Sequence, residues 1–306
     1  KKGTGRERMK AKFIINPSSG KQNFLKSIES VVGCLVLNQV VNQVDVVYTK
    51  QEGDALSEAR NIQKGEYDFV VSVGGDGTLN DVVNGLMEGG SETPLAVISV
   101  GTANDFAQYA KPPQTPEAFC KMIMEFKIRC IDVGRINERY FINRVSGGFG
   151  SNVGDRVSQE SKAVLGKLAY YMEGALDFSK KGVETLKVRF DSMQFRGERE
   201  VISFMVLNTC AGFGMYRGLP EKDPDDGTLD VMIVKKMDLG QMPGLGIQAL
   251  TKKMVKHPKV RHFRTERIRI ESASDTDIVV DYDGQVFGKL PVELSVIPKA
   301  IKLIVP

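Results

Sequence analysis

The chain has 306 residues and an ordinary apolar share of 42%, which allows about two domains with cores of their own; its formal net charge of +4 invites a nucleic-acid or anionic-membrane reading, but the +1 that remains beyond residues 1–8 argues for no partner. Cys34, Cys120, Cys130 and Cys210 form no CxxC pair and have no close histidine, which is poor material for zinc or a disulfide framework and reads instead as buried free thiols suited to a reducing cytosol. The longest apolar runs, such as 201–207, fall well short of the roughly 20 residues that span a bilayer.

Lys1, Lys2, Arg6 and Arg8 against Glu7 account for +3 of the charge. Residues 1–8 read as an expression-vector remnant, because Met9, Lys10 and the apolar run behind them look like a natural start. From there to about residue 134 short β-branched runs alternate with helix-length amphipathic segments, the pattern of a parallel sheet covered by helices. Strands are expected at 12–16, 45–49, 69–73 and 95–100. Helices are expected at 53–64, where Ala55, Leu56, Ala59 and Ile62 share a face, and at 78–88, where Leu79, Val82, Val83 and Leu86 do. The Pro-rich stretch 111–116 reads as a loop before a further helical segment at 117–126.

Beyond Arg135 the apolar period becomes two. Leu186, Val188 and Phe190 alternate with Lys187 and Arg189, and Ile268 and Ile270 alternate with charged neighbours, which is half-buried antiparallel strand. Further strands at 201–209, 229–235, 277–282, 292–297 and 301–305 make a β-sandwich the natural architecture. The expected division is thus an α/β domain over 9–134, to which a strand at 298–306 returns, and an all-β sandwich over 135–297. One helical segment, 157–179, interrupts the sandwich; its stripe reads as core, with a lipid guide as the alternative. The basic run 252–267, with His257 and His262, reads as solvated surface, with a nucleic-acid patch or a headgroup-facing face as the alternatives.

The strongest chemical signal is Gly74-Gly75-Asp76-Gly77-Thr78-Leu79-Asn80, between an apolar strand and a helix opened by Thr78. Glycines there let the backbone approach a phosphate, and the helix end turns amide hydrogens and a positive dipole toward it. Asp76 can organise a magnesium ion or its water. A second junction, Gly101-Thr102-Ala103-Asn104-Asp105-Phe106, and a third, Asn16-Pro17-Ser18-Ser19-Gly20-Lys21, also follow strands. Three such loops on the carboxyl edge of one sheet predict a nucleotide cleft. It is neither a P-loop, since Ile15 and Gln22 occupy positions that motif requires otherwise, nor a dinucleotide fingerprint, since Asn80 stands where glycine is needed.

Asn16 to Gly20, Gly74 to Thr78 and Gly101 to Phe106 resemble the NPxSG, GGDGT and GTxNDF motifs of the diacylglycerol kinase and sphingosine kinase superfamily, and most of all its soluble bacterial diacylglycerol kinase branch. The likeness implies an α/β nucleotide domain followed by a β-sandwich. It implies that Asn16, Pro17, Ser18, Ser19, Gly20, Thr49, Gly74 to Asn80 and Thr102 line an ATP site. Asp281-Tyr282-Asp283-Gly284-Gln285 looks like the family's DGE segment, which would make Asp283 the base for a lipid hydroxyl; Gln285 departs from that pattern and removes a negative charge. Asp223-Pro224-Asp225-Asp226-Gly227-Thr228 resembles the family's magnesium loop, with Asp223 and Asp226 as side-chain ligands and Thr228 as a carbonyl ligand. The expected activity is transfer of the ATP γ-phosphate to a lipid, diacylglycerol leading among acceptors. A kinase of NAD and a non-catalytic sensor are the alternatives. Membrane contact would be peripheral and transient from the cytoplasm, and sandwich edge strands leave room for a homodimer.

Overall fold

The computed structural model describes residues 9–19, 24–101, 104–148, 185–209, 224–237 and 257–306. It divides into two compact units, Lys1–Ile131 with Lys299–Pro306, and Asp132–Pro298. The expected helix 157–179 lies outside the described residues.

In the first unit the chain runs through β1 (Met9–Ile15), a 3-10 turn (Pro17–Ser19), α1 (Phe24–Leu37), β2 (Val41–Tyr48), α2 (Asp54–Arg60), β3 (Phe69–Gly74), α3 (Asp76–Glu88), β4 (Leu95–Ser99), α4 (Asp105–Ala110) and α5 (Pro116–Glu125). The strands form a parallel sheet in the order β2-β1-β3-β4, and the end of the last strand of the chain joins β4 with Leu303 opposite Leu95. Alternation along β1 sends Ala11, Phe13 and Ile15 into a core with Ile28, Val31 and Leu35 of α1 and Phe119, Met122 and Ile123 of α5. On the sheet's other face α2 packs on α3, close enough that a Cβ on Gly85 would lie 2.3 Å from the Leu56 carbonyl oxygen. Lys12, almost buried, reaches that side and pairs with Glu58 at 2.8 Å. Helices thus cover both faces of the sheet, which leaves its loop ends as the place for a site.

The second unit begins within β5 (Lys127–Ile136) and continues through β6 (Arg139–Phe141), β7 (Arg144–Gly148), β8 (Leu186–Asp191), β9 (Arg196–Leu207), β10 (Leu229–Lys235), β11 (Val260–Thr265), β12 (Arg267–Ser272), β13 (Val279–Tyr282), β14 (Gln285–Lys289) and the first part of β15 (Val292–Val305). It is an antiparallel β-sandwich. One sheet runs β14-β13-β7-β9-β10-β11 and the other runs β9-β8-β12-β15. The twelve residues of β9 serve both: the first half pairs with β8, the second with β7 and β10. Between the layers lie Phe190, Phe204, Val206, Val231, Ile268, Ile270, Val280 and Leu294, all buried.

Two strands expected at 292–297 and 301–305 are one, because the chain passes Pro298 and Lys299, the latter at φ 52°, without leaving the ladder. The helix expected to open at Thr78 opens at Asp76, with Gly75 as its cap.

Phe204 meets Phe190 edge-on at 5.8 Å and lies so close to Gly147 that a Cβ there would be 2.3 Å from its ring. Truncation leaves a cavity that glycine cannot fill, so Phe204→Ala should destabilise the protein by about 3–5 kcal/mol, read from its denaturant midpoint.

Candidate active site

Three loops of the first unit meet around the start of α3. Asn16 leaves β1 with its amide on the Val73 carbonyl at 2.9 Å. Its side chain donates to Thr78 Oγ1 at 3.1 Å and accepts from the Ser18 amide at 2.9 Å. Ser19 Oγ lies 3.5 Å from the same threonine hydroxyl. The Thr49 amide donates to the Ile15 carbonyl at 2.9 Å, which places the end of β2 beside this turn. Gly20 and Thr102 lie outside the described residues.

The junctions after β3 and β4 are bound to each other more tightly. The Val100 amide donates to the Gly74 carbonyl at 2.9 Å. A Cβ on Gly101 would stand 2.6 Å from Gly75 Cα, and one on Gly74 would stand 2.4 Å from Thr78 Oγ1. Neither glycine can be replaced without moving backbone or the threonine. Asp76 completes the junction: Oδ2 accepts from the Asp105 amide at 2.9 Å and Oδ1 from the Phe106 amide at 3.1 Å. Its carboxylate therefore satisfies the first turn of α4 from a neighbouring loop, as a capping residue would. Asn104, at φ 49°, donates to the Gly101 carbonyl at 2.7 Å, and its buried Oδ1 has no partner among the described residues. Leu79 and Asn80 belong to the body of α3: Leu79 is in the core, with its amide on Gly75, and Asn80 accepts from the Asn84 side chain at 3.0 Å.

The second unit holds the other candidates. Asp283, at φ 47° before Gly284 at φ 88°, turns the β13–β14 hairpin back toward β7. Its carboxylate accepts from the amides of Ile142 at 2.7 Å, Asn143 at 2.9 Å and Arg144 at 2.8 Å. Burial pushes the Asp283 carboxyl up from its ordinary value, and the three amides and Arg144 pull it the other way. Burial likewise pushes Asp281 up to about 6 against the Ser146 hydroxyl, which donates to it at 2.8 and 2.9 Å, and the neighbouring Asp283 adds to the rise. Gln285 accepts from the Tyr282 hydroxyl at 3.1 Å through its carbonyl oxygen.

In the acidic turn Asp226 Oδ1 accepts from the Thr228 amide at 2.9 Å and hydroxyl at 2.7 Å, while Arg264 stands 3.6 Å from Oδ2. Asp132, fully buried, accepts from the Gly227 amide at 2.7 Å and donates its own amide to the Pro224 carbonyl. Asn208 donates to the carbonyls of Asp132 and Ile142, both at 2.9 Å, and Thr209 donates to Asn143. The acidic turn and the Asp283 hairpin are thus joined by Asp132, Asn208 and Asn143, none of which the sequence motifs singled out. A buried aspartate inside the apolar strand β5 was the available signal. The carboxylate and carbonyl oxygens of this turn suit a hard cation. Asp223 lies outside the described residues, however, and among these no three His, Cys, Asp or Glu side chains stand together as a metal centre. His262 is taken up by the buried Asp230 at 2.5 Å, across the β10–β11 pair.

Residues 10–136 match the model of the diacylglycerol kinase catalytic domain, and residues 143–305 match that of the YegS C-terminal NAD kinase beta sandwich-like domain. A diacylglycerol kinase of Staphylococcus haemolyticus (strain JCSC1435) is 31% identical over 296 residues, 97% of this chain and 88% of the relative. The chain belongs to the diacylglycerol kinase family. It is thereby a kinase, a phosphotransferase. A diacylglycerol kinase of Staphylococcus aureus (strain bovine RF122 / ET3-1) is also 31% identical, covering 98% of this chain and 93% of its own. The crystal structure of a candidate diacylglycerol kinase from Bacillus anthracis str. Sterne superposes with a TM-score of 0.81 at 26% identity, covering 100% of this chain and 98% of that one. Yeast NADH kinase, at 12% identity and a TM-score of 0.56 over 98% of this chain and 84% of its own, shares the fold.

Removing the Asp76 carboxylate leaves the amides of Asp105 and Phe106 without their acceptor, so Asp76→Ala should cost about 1–2 kcal/mol. It should also speed hydrogen exchange at 105 and 106 ahead of the sheet. The Asp281 carboxyl, raised in the folded state, stabilises the fold fully below its unfolded value near 4 and loses that contribution as pH rises through about 6. Asp281→Asn should flatten the fall in melting temperature over that window.

Proposed function

We propose that the protein is an ATP-dependent lipid kinase that moves the γ-phosphate to a lipid hydroxyl, with diacylglycerol as acceptor and phosphatidic acid as product. The observation that carries this reading is the Gly75–Gly101 contact, locked by Asp76 and placed at the head of α3. Backbone without side chains there leaves amide hydrogens and a helix dipole for a triphosphate. Family membership supports the lipid acceptor, and the relatives' names supply diacylglycerol.

In this reading Asn16, Pro17, Ser18, Ser19 and Gly20 bound the phosphate site on one side, Gly74 to Thr78 and Thr102 on another, and Thr49 closes it beside β2. Leu79 and Asn80 support it from within α3. Phosphoryl transfer needs little covalent help from protein; it needs donors fixed where charge spreads over the equatorial oxygens. Asp283 is proposed to take the proton of the acceptor hydroxyl, its carboxylate held in one orientation by the amides of 142–144. Mg²⁺ is proposed at Asp223, Asp226 and the Thr228 carbonyl, where it would supply positive charge and brace the acidic turn. Among the described residues no helix is long and apolar enough to cross a membrane, and contact with the lipid phase is proposed as peripheral.

The test is γ-labelled ATP with diacylglycerol, monoacylglycerol, ceramide, a prenyl alcohol and NAD as separate acceptors, products read by mass spectrometry. Labelled phosphatidic acid is expected; transfer to NAD alone, or to none, overturns the reading. Asp283→Asn should lower turnover by roughly 10²–10⁴ while the KM for ATP stays within about twofold, on the scale of removing a general base rather than a binding group. Equal loss of both removes Asp283 from that role.

A further inference from the structure

Arginines on the faces of the sandwich are mostly matched to carboxylates. Arg189 pairs with Glu198 and Glu271, Arg269 with Glu271 and Glu293, and Arg267 with Glu293, a lattice that closes across β8, β12 and β15. At the β8–β9 end Arg196 still pairs with Asp191 at 2.8 Å, but two neighbouring arginines do not follow the pattern. Arg199 and Arg261 lie over one ring, that of Phe195, at 4.9 and 4.1 Å from its centroid. Among the described residues neither stands on a carboxylate, and the polar contact of Arg199 is the Glu198 carbonyl at 2.6 Å. A ring holds a guanidinium in place without neutralising it.

The hairpin beside these cations is rigid and carries an apolar tip. Ser192 closes the turn, its amide and hydroxyl both donating to the Phe195 carbonyl at 3.0 and 3.1 Å, while the Phe195 amide donates back to the hydroxyl. Phe195 itself is buried against Phe190 and Phe263. The turn thereby fixes Met193 outward, 95% exposed. An unbranched apolar side chain exposed two residues from the ring that carries both arginines matches the boundary of a bilayer, with acyl chains behind a layer of phosphates. A protein surface would offer the arginines fixed carboxylates but would leave Met193 needing a pocket.

We infer that the β8–β9 end of the second unit, through Met193, Arg199 and Arg261, docks on the surface of an anionic lipid bilayer. This surface rests on the reading that the acceptor is a lipid, since such an enzyme must visit the phase in which its substrate lies. Arg199 and Arg261 meet headgroup phosphates, and Met193 enters the interface.

The test is co-sedimentation of the full chain with vesicles of phosphatidylcholine, alone and mixed with phosphatidylglycerol. The wild type should partition onto the mixed vesicles, less so as salt is raised. Arg199→Gln with Arg261→Gln should weaken that binding by at least roughly tenfold, each interfacial arginine contributing about fivefold. Arg199→Lys with Arg261→Lys, which keeps the charge, should retain most of it. Met193→Ser should weaken binding to both vesicle types, and Arg267→Gln, taken from the closed lattice, should leave it within about twofold. Wild-type binding to neither vesicle, an unaltered Arg199→Gln/Arg261→Gln variant, or equal loss in Arg267→Gln overturns the docking surface. Turnover on acceptor dispersed in neutral detergent micelles reports separately: the double variant should match wild type there, and a wild type inactive on every lipid sinks the acceptor reading instead.

Discussion

The candidate nucleotide site depends on one carboxylate accepting two amides from a different loop. Asp76 begins α3 and, through Asp105 and Phe106, fixes the start of α4. With the Gly75 and Gly101 backbones in contact, the junctions after β3 and β4 become one piece of structure. Aspartate is the side chain that spans this gap from a first helical turn. It also places an anion beside the dipole ends of two helices, where it is favourable. The carboxylate is thereby committed to building the loop, which shifts the burden of ligand contact to the backbone around it.

The second unit applies the same device in reverse. There a hairpin aspartate at positive φ is seated on three successive amides of the turn before β7, and the acidic turn before β10 hangs on the buried Asp132. Asn208 and Asn143 connect the two through hydrogen bonds that leave little freedom for either. Buried polar groups linked in this way are costly to break singly, because each loss strands a partner. Two loops far apart in sequence are therefore held as a unit.

Most of the architecture was legible because periodicity reports burial. Leu186, Val188 and Phe190 alternate in sequence as they do in the sandwich core, Ala55 and Ala59 lie on the face of α2 that packs inward, and Ile62 is buried just past its end. The helix α1 is not among the expected elements although Ile28, Val31 and Leu35 carry its spacing. At the site, glycines and a strand-to-helix change marked the loops, since only backbone freedom explains such residues in a row. What those signals could not convey was the direction of the side chains. Asp76 reaching toward Asp105, Leu79 turning into the core and Asn143 beneath Asp283 are decided by contacts between distant segments, which a linear pattern does not encode.

The strand β9 belongs to both layers of the sandwich at once. Side chains on a strand alternate between faces, so a slip of one position would turn Phe204 and Val206 outward in one layer and disturb the pairing of Arg189 with Glu198 in the other. An error tolerable in a strand with one set of neighbours is thus penalised twice. The two layers are thereby obliged to settle their alignment together, and the hairpin that opens β9 inherits the certainty of the whole assembly.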